Sequence, residues 1–413
     1  MSDTNTARDS IHDYYKDRHV FFTGASGMLG TAYMHRLVLD TAVSCVYALV
    51  RGGESRLWKH WSTILPSETV EALQQSQKIV VWDGDITLPN CGLSEDQVKT
   101  IHDNVSIVVH SASTINLQKP LAGVAPHIIE PSLAMAEMAL GCANLTRFVY
   151  VSTAFASAFV RTREDGTVEG SDAVIPEGVV PVGTQTSLED EYSQLLEHGT
   201  TEEYELVSFP FPYAYCKQLT ERLLARLFQE ERAEEKLLIL KPSIFGPAES
   251  LPYPFYEIPG TTPGTSAAAI FISAFDEVPI DMVVNSLVAH VAFETCGSVN
   301  AVNGIDRVEK TEDVFDMVWS KESWKSKKLC DLAKLFRVCG CRFNFARDKT
   351  VAIWDRMNAV EKSNWPLEPQ MNRTVDERFV GRVKTIRLML AQLIPRFYNI
   401  PSSHIEFFHN AKL

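Results

Sequence analysis

No two cysteines in this 413-residue chain stand at Cys-x-x-Cys spacing, and none of the eight joins histidines in a zinc-ligand pattern. The expectation is therefore reduced thiols in or near the core, with no metal and no disulfide framework. Basic charge is also in short supply. A formal net charge of −13 argues against non-specific nucleic-acid binding, which draws on a basic surface. An uninterrupted apolar stretch of the roughly 18 residues that a membrane span needs is missing as well. The polar, mixed-charge start from Met1 to Arg18 has no apolar signal region, so a cytoplasmic protein is expected. Internal repeats and low-complexity tracts are absent too.

What the chain does have is the composition of a globular protein, 45% hydrophobic and 22% charged. Its length exceeds the roughly 250–300 residues at which one core stops growing, which predicts a large domain and a smaller one. Short β-branched runs at His19–Thr23, Ser44–Val50, Lys78–Trp82, Val105–His110, Arg147–Ser152 and Leu237–Lys241 alternate with helical patterns at Leu29–Asp40, Ser94–His102, Leu121–Ala143 and Tyr213–Arg232. Such alternation builds a parallel sheet covered by helices. The fold class expected is α/β, a Rossmann-type doubly wound sheet over residues 15–245. Residues 159–212, too long for an ordinary connection, read as a substrate-loop insertion that covers a site. From Phe245 the alternation gives way to a proline-rich stretch, and residues 246–413 read as a smaller, mostly helical C-terminal substrate domain with a helix near Asp281–Glu294.

After the first strand comes Thr23-Gly24-Ala25-Ser26-Gly27-Met28-Leu29-Gly30, opening the first helix. Glycines there let the backbone turn sharply and approach a pyrophosphate, while the helix N-terminus offers unpaired N–H groups. The next strand ends in Arg51. An acid at that position would bind the ribose hydroxyls of NAD, whereas an arginine pairs with a 2′-phosphate, so the cofactor expected is NADPH. Asp85 and Ile86 close the third strand, with Asp85 placed for the adenine amino group. The small residues Ser111, Ala112 and Ser113 close the fourth and let a cofactor lie across the sheet edge.

Tyr213 and Lys217 are four apart, on one face of a helix. A lysine ammonium beside a phenol is expected to lower its pKa from about 10, so that it hands a proton to a carbonyl oxygen as hydride arrives at carbon. Thr153, at the end of the fifth strand, is the choice for holding the substrate oxygen, with Ser152 second. Tyr215 is expected to face elsewhere.

These residues resemble the extended short-chain dehydrogenase/reductases. More narrowly, the chain is similar to the male-sterility or fatty acyl-CoA reductase NAD-binding family, which includes the thioester reductase domains of nonribosomal peptide synthetases and carboxylic acid reductases. The matching pieces are the glycine turn, Leu49-Val50-Arg51, Gly84-Asp85-Ile86, His110-Ser111-Ala112, Ser152-Thr153-Ala154, Tyr213-x-x-x-Lys217, Lys241-Pro242-Ser243-Ile244 and Pro279 to Asn285. Lys241 stands where arginine is commoner. The resemblance implies reduction of an acyl thioester on CoA or a separate carrier protein to an aldehyde, and sometimes to the alcohol. Lys217 would also bind the nicotinamide ribose, and Pro242, Ser243 and Ile244 would line the cofactor. Between Lys321 and Lys349 basic residues outnumber acidic ones, which would suit CoA phosphates or an acidic carrier. A monomer or dimer is expected. The alternatives are an NADPH-dependent aldehyde or ketone reductase, an epimerase-like enzyme, which Arg51 disfavours, and a non-catalytic NADPH-binding regulator.

Overall fold

A computed structural model describes residues 8–116, 119–161, 174–183, 186–207, 209, 211–246, 248, 277–302 and 343–368. Its centre is a sheet of seven parallel strands: β1 (His19–Thr23), β2 (Cys45–Val50), β3 (Ile79–Asp83), β4 (Ile107–His110), β5 (Arg147–Val151), β7 (Leu237–Pro242) and β10 (Gly297–Ala301). Their order is β10-β7-β5-β4-β1-β2-β3. Short strands β6 (Val174–Ile175) and β11 (Asn344–Phe345) pair with each other, as do β8 (Ile244–Gly246) and β9 (Glu277–Pro279). The register aligns Thr23 with both Leu49 and His110, and Val151 with Leu240, so the carboxyl ends of the strands form one edge. Because the chain runs to β2 on one side of β1 and later to β4 on the other, that edge has its switch point between β1 and β4, where such sheets bind ligands.

Alternate residues of β1 feed two different cores. Val20 and Phe22 join one face with Leu29, Tyr33 and Leu37 of α2 (Met28–Asp40), whereas Phe21 joins the other with Met135 of α7 (Ile129–Leu140) and Leu224 and Phe228 of α10 (Pro212–Glu230). Burial on both faces explains why the inner strands read as continuous apolar runs. Each such fully buried side chain contributes about 1.5–3 kcal/mol relative to its exposed state.

The remaining helices are α1 (Ser10–Tyr14), α3 (Gly53–Ile64), α4 (Ser67–Gln75), α5 (Glu95–Asn104), α6 (Leu121–Val124), α8 (Leu188–His198), α9 (Glu202–Leu206), α11 (Ile280–Ala292), α12 (Asp348–Arg356) and α13 (Ala359–Asn364). Three results differ from the sequence reading. The single helix expected over Leu121–Ala143 is broken into α6, a 3-10 turn at Ala125–His127 carrying Pro126, and α7, because proline cannot donate to the preceding turn. The segment after Arg51, given no element, forms α3 and α4. The sheet layer also runs past the expected boundary at residue 245. Helix α11 packs with α2 on one face, and β10 extends the sheet beside β7. Asn300 and Ser298 break the apolar pattern of β10, yet both are buried. Glu177 accepts the Asn300 amide (2.9 Å), the Ala346 carbonyl accepts its side chain (2.9 Å), and Lys349 donates to the Ser298 carbonyl (2.9 Å).

Candidate active site

The glycine turn sits at the switch point. Gly24 has φ +95, and a Cβ there would fall 2.9 Å from the Ala112 amide nitrogen. A Cβ on Gly30 would fall 2.0 Å from the Gly24 carbonyl oxygen, so helix and turn meet only because Gly30 has no side chain. Gly27 caps α2 without any side-chain hydrogen bond, and the first turn contains no acid. The unpaired amides of that turn, Met28 and Leu29 among them, fit a pyrophosphate. Leu29 itself points into the core, so its backbone alone is available. Ser26 lies exposed in the turn.

Thr23 and the β4 end lie under the turn. The Thr23 hydroxyl is fully buried, pairs with His110 Nδ1 (2.9 Å) and accepts the Ala112 amide (3.2 Å), while His110 Nε2 pairs with Ser132 (3.2 Å). These bonds hold β1 against β4 and give Thr23 a structural part in the site. Burial and the nearby Lys217 push His110 down to about 3, so the imidazole is neutral. Ser111 donates its amide to the Thr23 carbonyl (3.3 Å), and Ser111, Ala112 and Ser113 are all half-buried along the edge.

At the β2–β3 corner the Arg51 side chain is 72% exposed, and its guanidinium lies 3.7 Å from the Asp85 carboxylate. Asp85 accepts from the Thr87 amide (3.0 Å) and hydroxyl (2.8 Å), and the amide bond in particular holds its carboxyl below the usual range. Ile86 packs against the core cluster of Phe21. The sequence reading missed Arg56, which donates to the Arg51 carbonyl (2.9 Å) from α3 and brings a second guanidinium to this corner. No local signal marked it, because α3 itself went unassigned.

At the other end of the edge, Pro212 occupies the first turn of α10, where its fixed φ suits the helix and its missing N–H costs nothing. That start aims Tyr213 and Lys217 at β5. Lys217 is buried, donates to the Val151 carbonyl (2.9 Å), and lies 4.6 Å from the Tyr150 ring centre and 5.7 Å from that of Tyr213. Burial, opposed by Glu221 and Cys216, brings its ammonium down to about 7. Tyr213 is half-buried and stacks on Phe211 at 6.2 Å between centroids. Here the structure corrects the sequence reading. Burial pushes the Tyr213 phenol up, and no opposing effect of Lys217 is seen, so the group stands as a protonated acid.

Thr153 lies nearly buried at the β5 end, its hydroxyl accepting the Phe155 amide (3.3 Å) and donating to the Pro242 carbonyl (3.4 Å). Ser152, the second choice, is committed elsewhere: its hydroxyl donates to Glu221 at 2.5 Å. Pro242 ends β7, Ser243 donates its amide to the Ala301 carbonyl (3.3 Å), and Ile244 packs with Phe155 and Tyr213. Tyr215 does face elsewhere, bonding to Glu191 (2.7 Å) and Thr201 (2.5 Å). Glu191 also receives both Arg222 nitrogens (2.5 and 2.6 Å), which fastens α8 of the insertion to α10. Within the basic run, the residues from Lys321 to Arg342 lie outside the described residues. Arg347 and Lys349 are engaged within the fold, Arg347 with the Leu367 carbonyl (3.2 Å) and Lys349 with the Cys296 carbonyl (3.0 Å). Among the described residues, no His, Cys, Asp and Glu cluster is arranged to hold a metal, and no helix is long and apolar enough to cross a membrane.

Comparison with known proteins agrees with this fold. Over 302 residues the chain is 26% identical to a protein named fatty acyl-CoA reductase wat of Drosophila melanogaster, covering 67% of this chain and 54% of that one. It is also 26% identical to fatty acyl-CoA reductase 1 of Mus musculus, covering 68% and 55%. The chain thus spans about half the length of the curated relatives it matches. The fold is shared with the terminal R domain of the myxalamid PKS-NRPS pathway (TM-score 0.57, 17% identity, 93% and 92% coverage). It is likewise shared with the reductase domain of the aureusimine cluster (TM-score 0.56, 13% identity, 91% and 91% coverage). The family model described as Male sterility protein matches residues 22–287, well over half of the chain, and with a nicotinamide-dinucleotide turn in place the chain belongs to that family of NAD-binding domains.

Proposed function

We propose that the protein is an NADPH-dependent reductase that converts an acyl thioester, on CoA or a carrier protein, to an aldehyde and, with a second reduction, to the alcohol. The observation that carries this reading is that Lys217 bonds the Val151 carbonyl, Thr153 the Pro242 carbonyl, and the Tyr213 ring lies 5.7 Å from Lys217, on the carboxyl edge of the sheet that also bears the glycine turn. Support for the thioester comes from the curated relatives, named fatty acyl-CoA reductases, and from the family itself.

The amides of the Gly24–Gly30 turn would hold the pyrophosphate, Arg51 the 2′-phosphate and Lys217 the nicotinamide ribose. When bound, the cofactor supplies the hydride that reaches the thioester carbon. Thr153, on turning its hydroxyl from the long 3.4 Å bond to the Pro242 carbonyl, and Tyr213 hold the carbonyl oxygen, and Tyr213, kept protonated by burial, gives it a proton. The hemithioacetal then returns its hydroxyl proton to Tyr213, its C–S bond breaks, and the leaving thiolate takes a proton from solvent. Aldehyde and thiol are released. With His110 neutral beneath the edge, Lys217 is a cation 5.7 Å from the Tyr213 ring centre. The basic run between Lys321 and Lys349 has the charge to attract CoA phosphates or an acidic carrier.

The test is NADPH oxidation with a panel of acyl-CoA and acyl-carrier substrates, with products read by mass spectrometry. Aldehyde or alcohol formation with release of free thiol is expected. Consumption with free aldehydes or ketones alone would make the protein a carbonyl reductase instead, and NADPH binding without turnover would make it a regulator.

A further inference from the structure

One fully buried charge pair among the described residues plays no part in the chemistry above. Glu221 of α10 and Lys241 of β7 are both wholly inaccessible, with Lys241 Nζ 2.9 Å from Glu221 Oε2. Glu221 follows Tyr213 and Lys217 at successive four-residue steps, so the three side chains share one stripe of the helix. Its other oxygen, Oε1, accepts the Ser152 hydroxyl. The remaining Lys241 donors reach Ser157 Oγ (2.6 Å) and the Gly178 carbonyl (3.3 Å), so all three ammonium donors are used.

The partners of this pair bracket Thr153. Ser152 precedes it in the chain, Ser157 belongs to the turn that follows it, and Lys241 precedes Pro242, whose carbonyl accepts the Thr153 hydroxyl. An apolar pair of equal volume would join the helix to the strands without the cost of desolvating two charges. What the charged pair adds is a fixed geometry. We propose that Glu221 and Lys241 are positioning residues that set the distance between the helix carrying Tyr213 and Lys217 and the strand end carrying Thr153. The proposal rests on the reductase reading above for its chemistry, but the pair's action on Lys217 is observable without turnover.

That action is electrostatic. Glu221 is the largest influence keeping Lys217 charged against burial, with Cys216 on the same helix acting in the same direction. The other groups facing Lys217 are the rings of Tyr213 on α10 and Tyr150 on β5, and the neutral His110 on β4. Removing the Glu221 charge should therefore make Lys217 lose its proton at lower pH.

The decisive variant is the double replacement Glu221→Leu with Lys241→Met, which leaves no unpaired charge. Folded protein by circular dichroism is expected, with kcat down roughly ten- to a hundredfold, as misplacement of about 1 Å costs. KM for thioester and for NADPH should stay within about threefold, because the loss falls on the transition state. The high-pH limb of kcat should move to lower pH. Lys241→Arg alone, which keeps the charge pair, should retain most of kcat and the wild-type limb. A folded double variant with wild-type kcat and an unmoved limb would overturn the proposal. Should the double variant not fold, Glu221→Gln carries the same pH readout. If the wild type reduces no thioester, the function reading fails on its own. NADPH affinity against pH, followed by cofactor fluorescence, then decides the pair: a limb at lower pH in the variant supports it, and coincident limbs refute it.

Discussion

The two ends of the ligand edge are built on opposite principles. At the β2–β3 corner Arg51 is largely exposed, its contact with Asp85 is long, and Arg56 reaches it through a backbone carbonyl. At the β5–β7 corner Ser152, Lys217, Glu221 and Lys241 are buried and hydrogen-bonded. An exposed guanidinium in salt water is loosely placed and gains from a multiply charged partner, so the first corner suits recognition of a phosphate. The second removes water and fixes dipoles before any substrate arrives, the condition under which electrostatic stabilisation of a transition state is strongest. On the proposed function, recognition and chemistry are divided along one edge, with the glycine turn between them.

The largest expected effect breaks the turn that both ends depend on. Gly30→Ala puts a methyl 2.0 Å from the Gly24 carbonyl oxygen. Overpacking of this kind costs about 1–3 kcal/mol, and cofactor titration should show NADPH binding abolished or severely weakened in a protein that still folds. Binding near the wild-type affinity would mean that the turn relaxes elsewhere.

The chemistry end should show itself in pH. Lys217 titrates near 7, far below an ordinary lysine, and its cation is present below that pH and lost above it. Tyr213 is pushed the other way and stays protonated across the working range. The expected kcat profile therefore has one falling limb near neutrality, about tenfold per pH unit beyond it if only the charged lysine supports turnover. A flat profile to pH 9 would remove Lys217's charge from the mechanism. By linkage, the folded protein binds fewer protons than the unfolded chain between about pH 7 and the usual lysine value, so this group's contribution favours folding more as pH rises through that window.

The smallest effect belongs to the exposed corner. Arg51→Ala should raise KM for NADPH roughly tenfold with little change for NADH, the lower range for a charge-assisted contact in solvent. Raising salt should narrow the gap. Equal losses for both cofactors would show that Arg51 does not read the 2′-phosphate, and an intact preference would shift that role to Arg56.

The division between the corners also governs what could be read from sequence. β1, β4, β5 and β7 were legible because strands buried on both faces are apolar runs. Gly24, Gly30, Tyr213 and Lys217 were legible because their meaning depends on spacing and place, both local properties. β10 was not, since Ser298 and Asn300 interrupt its apolar run, and the groups that bond this strand's backbone and the Asn300 side chain, Lys349, Glu177 and Ala346, all lie far away in the chain. For the same reason Lys241 stood out only as a departure from arginine; its partner Glu221 is visible once the helix lies on the strand. The direction of the Tyr213 shift is not legible from sequence, because the nearness of a cation is a matter of spacing whereas burial, which dominates here, depends on the packed fold.

The central claim is that Tyr213 protonates the oxygen of a thioester carbonyl. Its most direct test is product analysis of wild type and Tyr213→Phe with NADPH and acyl-CoA. Aldehyde or alcohol with equivalent free thiol is expected from the wild type, and a loss of roughly 10²- to 10⁴-fold in the variant with NADPH binding retained. Wild-type turnover persisting in Tyr213→Phe would contradict it.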